Sequence, residues 1–449
     1  ILVINNIDKY VTNDDAHTDL SSVFVKYFHD KRIQVIAIAT PFMFQKYIEP
    51  HEELKSIFTE IKIQEMPKDK AEEVLLETCH LFELRHQVTI PYESIIAVVD
   101  KSDSFIAGVP FPEKALKLLE DVCISTTQVL KQTVVLPATV DKVLTEQTHT
   151  PTSLSDNLRD RLLHLEEQLK QTIVHQSEAL SQLSAALQRS FVLLGKRKKP
   201  LASFLFLGPT GVGKTETAKA IVRSFFNSEN NLVRFDMSAY QSTTDIPKLI
   251  GDANNPGQLT EALREKPYGV LLLDEIEKAN KDLLNIFLTI LDEGYFTDGW
   301  GKRVDCRSLI VIATSNAGAQ YIHDLIVKKE VANSQQMSTQ LTEYLIANHV
   351  FNPEFLNRFD GIIAYEPLMQ DSILQVARNM CATIATDILS LHGVKLQVTD
   401  ETLQKIIATE YNPAYGARNM DRAIRNHIET ELARLILEKK VSAGQTVVL

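Results

Sequence analysis

The sequence predicts an α/β protein made of two similar units in series, each a parallel sheet with flanking helices followed by a smaller helical part, the first unit incomplete. Three observations predict it. Short apolar, β-rich runs alternate with polar helical stretches at Ile1–Ile4 and Ile33–Ala39, and again at 203–207, 232–235, 270–273 and 309–313. Each alternating stretch gives way to mostly helical sequence, at 61–130 and after Pro367. Between them the text turns to Thr, Ser, Pro and Asp, as in Thr148-His149-Thr150-Pro151-Thr152-Ser153, the composition of a connection rather than a core.

Length and composition agree. At about 150 residues per domain, 449 residues make roughly three structural parts and leave ample chain to bury a core. With 44% hydrophobic and 23% charged residues the chain is neither disordered nor collagen-like, and no apolar run approaches a membrane span. Lys plus Arg number 47 against 58 Asp plus Glu, a net charge of −11 that disfavours nucleic acid and anionic membranes as partners. Cys79, Cys123, Cys306 and Cys381 lie far apart with no CxxC pair, as expected of a reducing, cytoplasmic protein without structural zinc. The chain starts at Ile1 inside an apolar run without an initiator Met, and reads as a fragment.

Taken in order, the second unit opens with two amphipathic helices. Leu158, Leu162, Leu165 and Leu169 share one helical face, and Leu180, Leu183, Leu187, Phe191 and Leu194 share another. Such stripes are core before they are partner surfaces. The basic run Lys196-Arg197-Lys198-Lys199 precedes Pro200 and reads as a solvated loop entering a strand rather than a nucleic-acid signal. After Pro367 a long amphipathic helix through Ile424, Ile428, Leu432 and Leu435 leads to a short β-like tail at Thr446–Leu449.

Gly208-Pro209-Thr210-Gly211-Val212-Gly213-Lys214-Thr215 fits GxxxxGK[ST] between an apolar strand and a helix that continues with Glu216. Glycines let backbone N–H groups wrap phosphates, the helix N-terminus adds a favourable potential, Lys214 meets the β and γ phosphates, and Thr215 can hold Mg²⁺. Val270-Leu271-Leu272-Leu273-Asp274-Glu275 is an apolar strand ending in two carboxylates, where open α/β sheets bind ligands. Asp274 would position Mg²⁺ through its water shell, and Glu275 would polarise the attacking water. Alone, such acids are often helix caps; a phosphate loop about 60 residues upstream decides for chemistry. Asn316, after the strand Leu309–Ala313, either reaches the γ-phosphate or forms a turn.

These elements resemble the second ATPase module of the Clp-family AAA+ unfoldases and disaggregases, the ClpA, ClpB and ClpC group, over nearly the whole chain. The resemblance rests on Phe204-Leu205-Phe206-Leu207 before the phosphate loop, Arg234-Phe235-Asp236-Met237-Ser238, Gly257-Gln258-Leu259-Thr260-Glu261-Ala262, Asp274-Glu275-Ile276-Glu277-Lys278-Ala279 and Asn352-Pro353-Glu354-Phe355-Leu356-Asn357-Arg358. It implies tandem AAA+ modules divided as follows: 1–60 a partial, degenerate large subdomain, 61–130 its helical small subdomain, 131–168 a linker, 169–366 the large ATPase subdomain, 367–449 the C-terminal small subdomain. It further implies a hexameric ring in which ATP turnover drives polypeptide through a pore. Arg358 would be the arginine finger inserted into the adjacent subunit's site, and Arg418, in Tyr415-Gly416-Ala417-Arg418, the second sensor arginine touching phosphate in its own subunit. Ile173 and Val174, before His175 and Gln176, align with the segment that borders adenine. His175 stands where the family usually has Gly.

The departures narrow the reading. Asn5-Asn6 replaces the Asp-Glu pair of the first module, and Ser56-Ile57 stands where two arginines are expected before Phe58, so the first module is expected to be catalytically silent. Asp252-Ala253-Asn254-Asn255-Pro256 replaces a longer, Tyr-bearing pore segment. Gly294-Tyr295-Phe296-Thr297-Asp298-Gly299-Trp300-Gly301 matches a second pore-facing loop, in which Tyr295, Phe296 or Trp300 either takes over the grip or packs. No long coiled-coil insertion interrupts the first helical region, which argues against a full disaggregase of the ClpB type, and no Ile-Gly-Phe or Ile-Gly-Leu peptide lies between Asn316 and Phe351, which argues against docking to the ClpP peptidase. The expected function is an ATP-hydrolysing protein remodeller. The rival is an ATP-gated assembly scaffold that threads nothing, and a nucleic-acid-directed motor is disfavoured by the acidic charge and the lack of a groove-reading module in the sequence.

Overall fold

The computed structural model describes all residues except 12–18, 29–32, 41–42, 107–108, 149–155, 193–197, 227, 253–254, 329–333, 369, 412–415, 439 and 442–443. Lys196 and Arg197 of the basic run, Ala253 and Asn254 of the short segment, Tyr415, and 149–153 of the Thr/Pro stretch lie outside the described residues.

Its centre is a five-stranded, all-parallel sheet in the order β4-β5-β8-β3-β9, formed by β3 (Ala202–Leu207), β4 (Leu232–Asp236), β5 (Gly269–Asp274), β8 (Leu309–Ser315) and β9 (Gly361–Ala364). The three middle strands, β5, β8 and β3, are buried along their whole length, which is why the sequence gives them continuous apolar runs instead of alternation. Their side chains divide between two cores. Leu205, Leu207, Leu271, Leu273 and Val311 face one, with Leu259, Phe287 and Leu341. Phe204, Phe206, Val270, Leu272 and Ile312 face the other, with Leu180, Leu187 and Ile221. Leu158, Leu162, Leu165 and Leu169 belong to that second core, so the leucine stripe is packing.

The short strands β6 (Tyr295–Thr297), β7 (Arg303–Asp305), β9 and β10 (Lys395–Gln397) carry no apolar run that marks them in the sequence. β9 has only Ile362 and Ile363 between Gly361 and Ala364, too short a signal to separate from a loop. The antiparallel pair β6 and β7 joins across Asp298–Lys302.

The helical part that precedes this sheet is longer than expected. Helices Lys68–His86, Tyr92–Phe105, Glu113–Ile124 and Pro137–Thr148 share one core built on Leu75, Ile95, Val98, Leu118, Leu119 and Leu144. Residues 131–168 are therefore not a plain linker. Val140, Val143 and Leu144 recur at helical spacing and are buried in that core, and helices Asp156–Leu163 and Leu165–Thr172 pack on the large sheet. Thr and Pro masked an amphipathic pattern, and Pro137 occupies a first helical position it suits. Conversely, 61–67 is not helical. At the start of the chain, β1 (Leu2–Asn5) and β2 (Val35–Ile38) pair in parallel.

After β9 the helices Gln370–His392, Asp400–Glu410, Gly416–Ile424 and Thr430–Leu437 enclose a separate core of Ile373, Ala377, Leu403, Ile406, Met420 and Ile424. A two-stranded parallel pair, β10 (Lys395–Gln397) with β11 (Thr446–Val448), closes this part. Among the described residues, no helix is long and apolar enough to cross a membrane.

Candidate nucleotide site

A cleft of about 360 Å³ opens at the carboxyl ends of β3, β5 and β8, the end at which parallel α/β sheets bind ligands. It is lined by Thr210, Gly211, Gly213, Lys214, Thr215 and Glu216 from the loop and helix after β3, by Arg234, Asp236, Asp274, Glu275, Thr314 and Asn316 from the neighbouring strand ends, and by Met380, Ala417, Arg418 and Asp421 from the C-terminal helices.

Lys214 starts the helix Lys214–Phe226 and is almost buried. Its ammonium donates to Gly208 O at 2.5 Å, Pro209 O at 2.9 Å and Asn316 Oδ1 at 2.8 Å. Burial pushes it down to about 8, with Glu277 and Asp274 pulling the other way. The cation is thus held ready by neutral carbonyls that an anionic ligand can outcompete.

Asp274 is buried, and both its oxygens are engaged. Arg234 Nε donates to Oδ2 at 2.7 Å and Thr314 Oγ1 donates to Oδ1 at 2.7 Å. Glu275 takes a left-handed backbone, φ 55° and ψ 46°, at the N-terminus of a short 3₁₀ turn, Ile276–Lys278. That turn aims its carboxylate into the cleft, where Lys278 Nζ donates to it at 2.6 Å. Asn316 N donates to Glu277 Oε1 at 3.1 Å, which fixes the end of β8 against the turn after β5.

The C-terminal part meets the loop directly. Ala417 N donates to Gly211 O at 3.1 Å. Gly416 has φ +56°, and a Cβ there would stand 2.4 Å from Thr210 O, so this approach requires glycine. Arg418 enters the cleft from the helix so anchored.

The structure therefore brings Thr210, Gly211, Gly213, Lys214, Thr215, Glu216, Asp274, Glu275, Asn316 and Arg418 together, whereas Gly208, Pro209 and Val212 of the same loop do not line the cleft: the first two accept from Lys214 through their carbonyls and Val212 is buried. Ile173 and Val174 do not line this cleft; Ile173 is buried, with its Cγ2 3.4 Å from the position a Cβ on Gly213 would take. His175 has φ +65°, in the left-handed region that glycine adopts without steric cost. Beside it, buried Gln176 pairs with the backbone of Glu366 in both directions, at 2.9 and 3.0 Å. Arg358 lies outside the cleft, paired with Asp292 and Glu354. Arg234, Thr314 and Glu277 were not singled out from sequence. Arg234 and Thr314 were legible only as strand-end polar residues on either side of β5, a signal that needs the strand order to interpret.

At the short segment 252–256 the described residues Asp252 and Asn255 bond to each other. Asp252 N donates to Asn255 O at 2.8 Å and Asn255 N to Asp252 Oδ1 at 2.8 Å, while Gly299 N donates to Ile250 O at 3.1 Å. Phe296 is fully buried and belongs to the core, which removes it as a gripping residue.

Three family models match the chain: an AAA domain (Cdc48 subfamily) at residues 199–362, the C-terminal, D2-small domain of ClpB protein at 368–449, and an AAA lid domain at 67–182. The chain is 39% identical over 322 residues to chaperone protein ClpB 2 of Synechocystis sp., a stretch covering 70% of this chain and 36% of that protein. It is 39% identical over 351 residues to chaperone protein ClpB of Lactococcus lactis subsp. cremoris, covering 76% and 40%. The chain thus spans about two fifths of the length of these curated relatives. A closed-state cryo-EM reconstruction of Hsp104 with ATPγS and FITC casein superposes with a TM-score of 0.81 at 28% identity, covering 100% of this chain and 78% of that one. With its phosphate loop, strand-end acids and docked helical lid in one cleft, the chain belongs to the Clp/Hsp104-type AAA+ ATPases.

Proposed function

We propose that the chain hydrolyses ATP and uses the energy to remodel polypeptide, with 169–366 as the large ATPase subdomain and 367–449 as its lid. The observation that carries this reading is the single cleft that gathers Lys214, Asp274, Glu275 and Asn316 beneath Arg418 from the docked lid. In it Lys214 exchanges its carbonyl partners for the β and γ phosphates. Glu275 orients and polarises the attacking water, Asn316 holds the γ-phosphate side, and Arg418 ties phosphate to lid position. Thr215 and Asp274 fit Mg²⁺: hydroxyl and carboxylate are hard oxygen donors, and an Asp274 already engaged by Arg234 and Thr314 suits contact through the ion's water. Bound Mg²⁺ would neutralise charge on the phosphates.

Arg358 is read as the cation supplied to an adjacent subunit, which makes a ring, hexameric by family analogy, the working form. The Hsp104 neighbour was captured with ATPγS and casein, and supports polypeptide as the partner class. The test is Glu275→Gln with Lys214→Ala beside it. The first should keep nucleotide bound and lose turnover, the second should weaken binding; unaltered hydrolysis in Glu275→Gln would falsify the assignment.

We read the start of the chain as a degenerate first module. β1 and β2 pair in parallel as β5 and β8 do, and Asn5-Asn6 stands at the strand end where Asp274-Glu275 stands. Neither amide can serve as a base. The second reading, an ATP-gated scaffold that threads nothing, is favoured by the short, aromatic-free sequence of 252–256, whose Asp252 and Asn255 bond to each other. Turnover measured with and without an unfolded protein separates the two: stimulation supports the motor, and its absence supports the scaffold.

A further inference from the structure

Asp292 stands where local electrostatics disfavours it. It lies in the last turn of the helix Lys281–Glu293, next to Glu293 and with no basic residue in that turn, at the negative end of the helix dipole. Two cations from outside the helix meet it. Its Oδ2 is 2.7 Å from Arg358 Nε, and its Oδ1 is 3.4 Å from Lys199 Nζ. The Arg358 Nε–H is not aimed along the first contact, which is an ion pair rather than a hydrogen bond.

The backbone at Arg358 is held separately. Asp360 Oδ2 accepts from Ser203 N at 2.9 Å and Ser203 Oγ at 3.1 Å, and Asp360 N donates to Ser203 O at 2.9 Å. Ser203 belongs to β3, the strand that runs into the phosphate loop. With the backbone fixed, only the direction of the arginine side chain is left open. Glu354, one turn back and mostly exposed, accepts a hydrogen bond from Nη2 at 3.4 Å. Asp292 offers the shorter contact and comes from the helix that follows the Asp274-Glu275 turn.

The geometry points to Asp292 as the positioning residue of Arg358. It draws the Nε side of the guanidinium onto the chain's own surface, so that the Nη edge, held only by the exposed Glu354, can exchange that partner for the phosphates of an adjacent copy. The inference rests on the reading of Arg358 as the cation donated to that copy's site. It also links each site to the next, since the finger hangs from the strand that runs into its own subunit's phosphate loop and from the helix that follows its strand-end acids.

The test uses the full-length protein in assembled form, with Arg358→Ala, Asp292→Asn, Asp292→Ala and Asp292→Glu. Asp292→Asn and Asp292→Ala should lower kcat by about 10²-fold through misplacement of the cation, with KM and nucleotide affinity unchanged within about twofold, and Asp292→Glu should restore part of kcat. Mixing Asp292→Ala subunits with Glu275→Gln subunits should raise turnover above the sum of the separate proteins, because an Asp292→Ala subunit then receives an intact finger from its Glu275→Gln neighbour. Normal kcat in assembled Asp292→Asn while Arg358→Ala is silent overturns the inference alone. So does an absence of rescue on mixing, or a loss of kcat that only follows loss of assembly. Normal turnover in Arg358→Ala overturns the reading beneath it.

Discussion

Asn6 and Glu275 occupy the same turn. Each follows a strand paired in parallel with a second strand, β1 with β2 and β5 with β8. Each takes a left-handed backbone, φ 52° and ψ 57° against φ 55° and ψ 46°. Each carbonyl accepts from the residue three further on, Lys9 at 3.1 Å and Lys278 at 2.9 Å, and a 3₁₀ turn follows. Asparagine is at ease in that conformation, whereas glutamate is strained by it. In the proposed function the strained residue is the one whose carboxylate acts on water, and the relaxed one carries an amide that cannot serve as a base. The two strand ends share a backbone geometry and differ in the chemistry their side chains can supply.

Changing chemistry without geometry should give the largest effect. Glu275→Asn keeps the turn and loses the base, so turnover should fall by about 10²–10⁴-fold while unfolding free energy rises by about 1 kcal/mol from relieved strain; phosphate release and denaturant titration read the two, and normal release would break the comparison. Changing geometry without chemistry comes next. In Gly416→Ala the new methyl meets Thr210 O, which should cost about 1–3 kcal/mol of lid docking, seen as weaker nucleotide binding with the acids intact. If affinity is unchanged, the lid contact is incidental.

The next effect is electrostatic. Lys214 has its ammonium pushed down to about 8 by burial, and bound phosphates would raise it again. Binding then takes up a proton above that pH, so affinity should be full below about 8 and fall as pH rises through it, approaching about tenfold per unit. Nucleotide titration from pH 7 to pH 10 checks the slope, and a flat profile removes Lys214 from the phosphate contact. Asn6→Glu should place the strained residue in the silent turn, losing about 1 kcal/mol of stability with turnover unaltered. The smallest effect is expected at His175, whose left-handed backbone makes His175→Gly stabilising by about 0.5 kcal/mol, measurable by thermal unfolding.

Much of the site was legible because it rests on local spacing. The glycine-rich loop between strand and helix, and two acids ending an apolar strand, each need only a few consecutive residues. Asp292 and Thr314 carried no such signal, and Arg234 and Glu277, though part of the motifs that carry the resemblance, gave no sign of what they would bond. Their partners lie far along the chain, as in Arg234 with Asp274 and Asp292 with Arg358, and nothing in the sequence ranks one surface-type charge above another. The fold was misread for the same reason at Pro137–Thr148, where Thr and Pro outweighed three apolar residues whose burial depends on helices 20 to 70 residues upstream.

By itself the sequence determined the parallel sheet, through apolar runs that only strands covered on both faces carry, and the nucleotide chemistry, through a loop whose residue types admit few other uses. Tertiary structure alone decided which charges meet. It set the strand order that brings Thr314 and Arg234 to either side of Asp274, docked Gly416 on the phosphate loop, and hung Arg358 between Asp292 and the anchor at Ser203. The physical reason is range: helix and strand patterns are written within a few residues, while ion pairs and lid contacts are fixed by packing between segments that the chain keeps far apart.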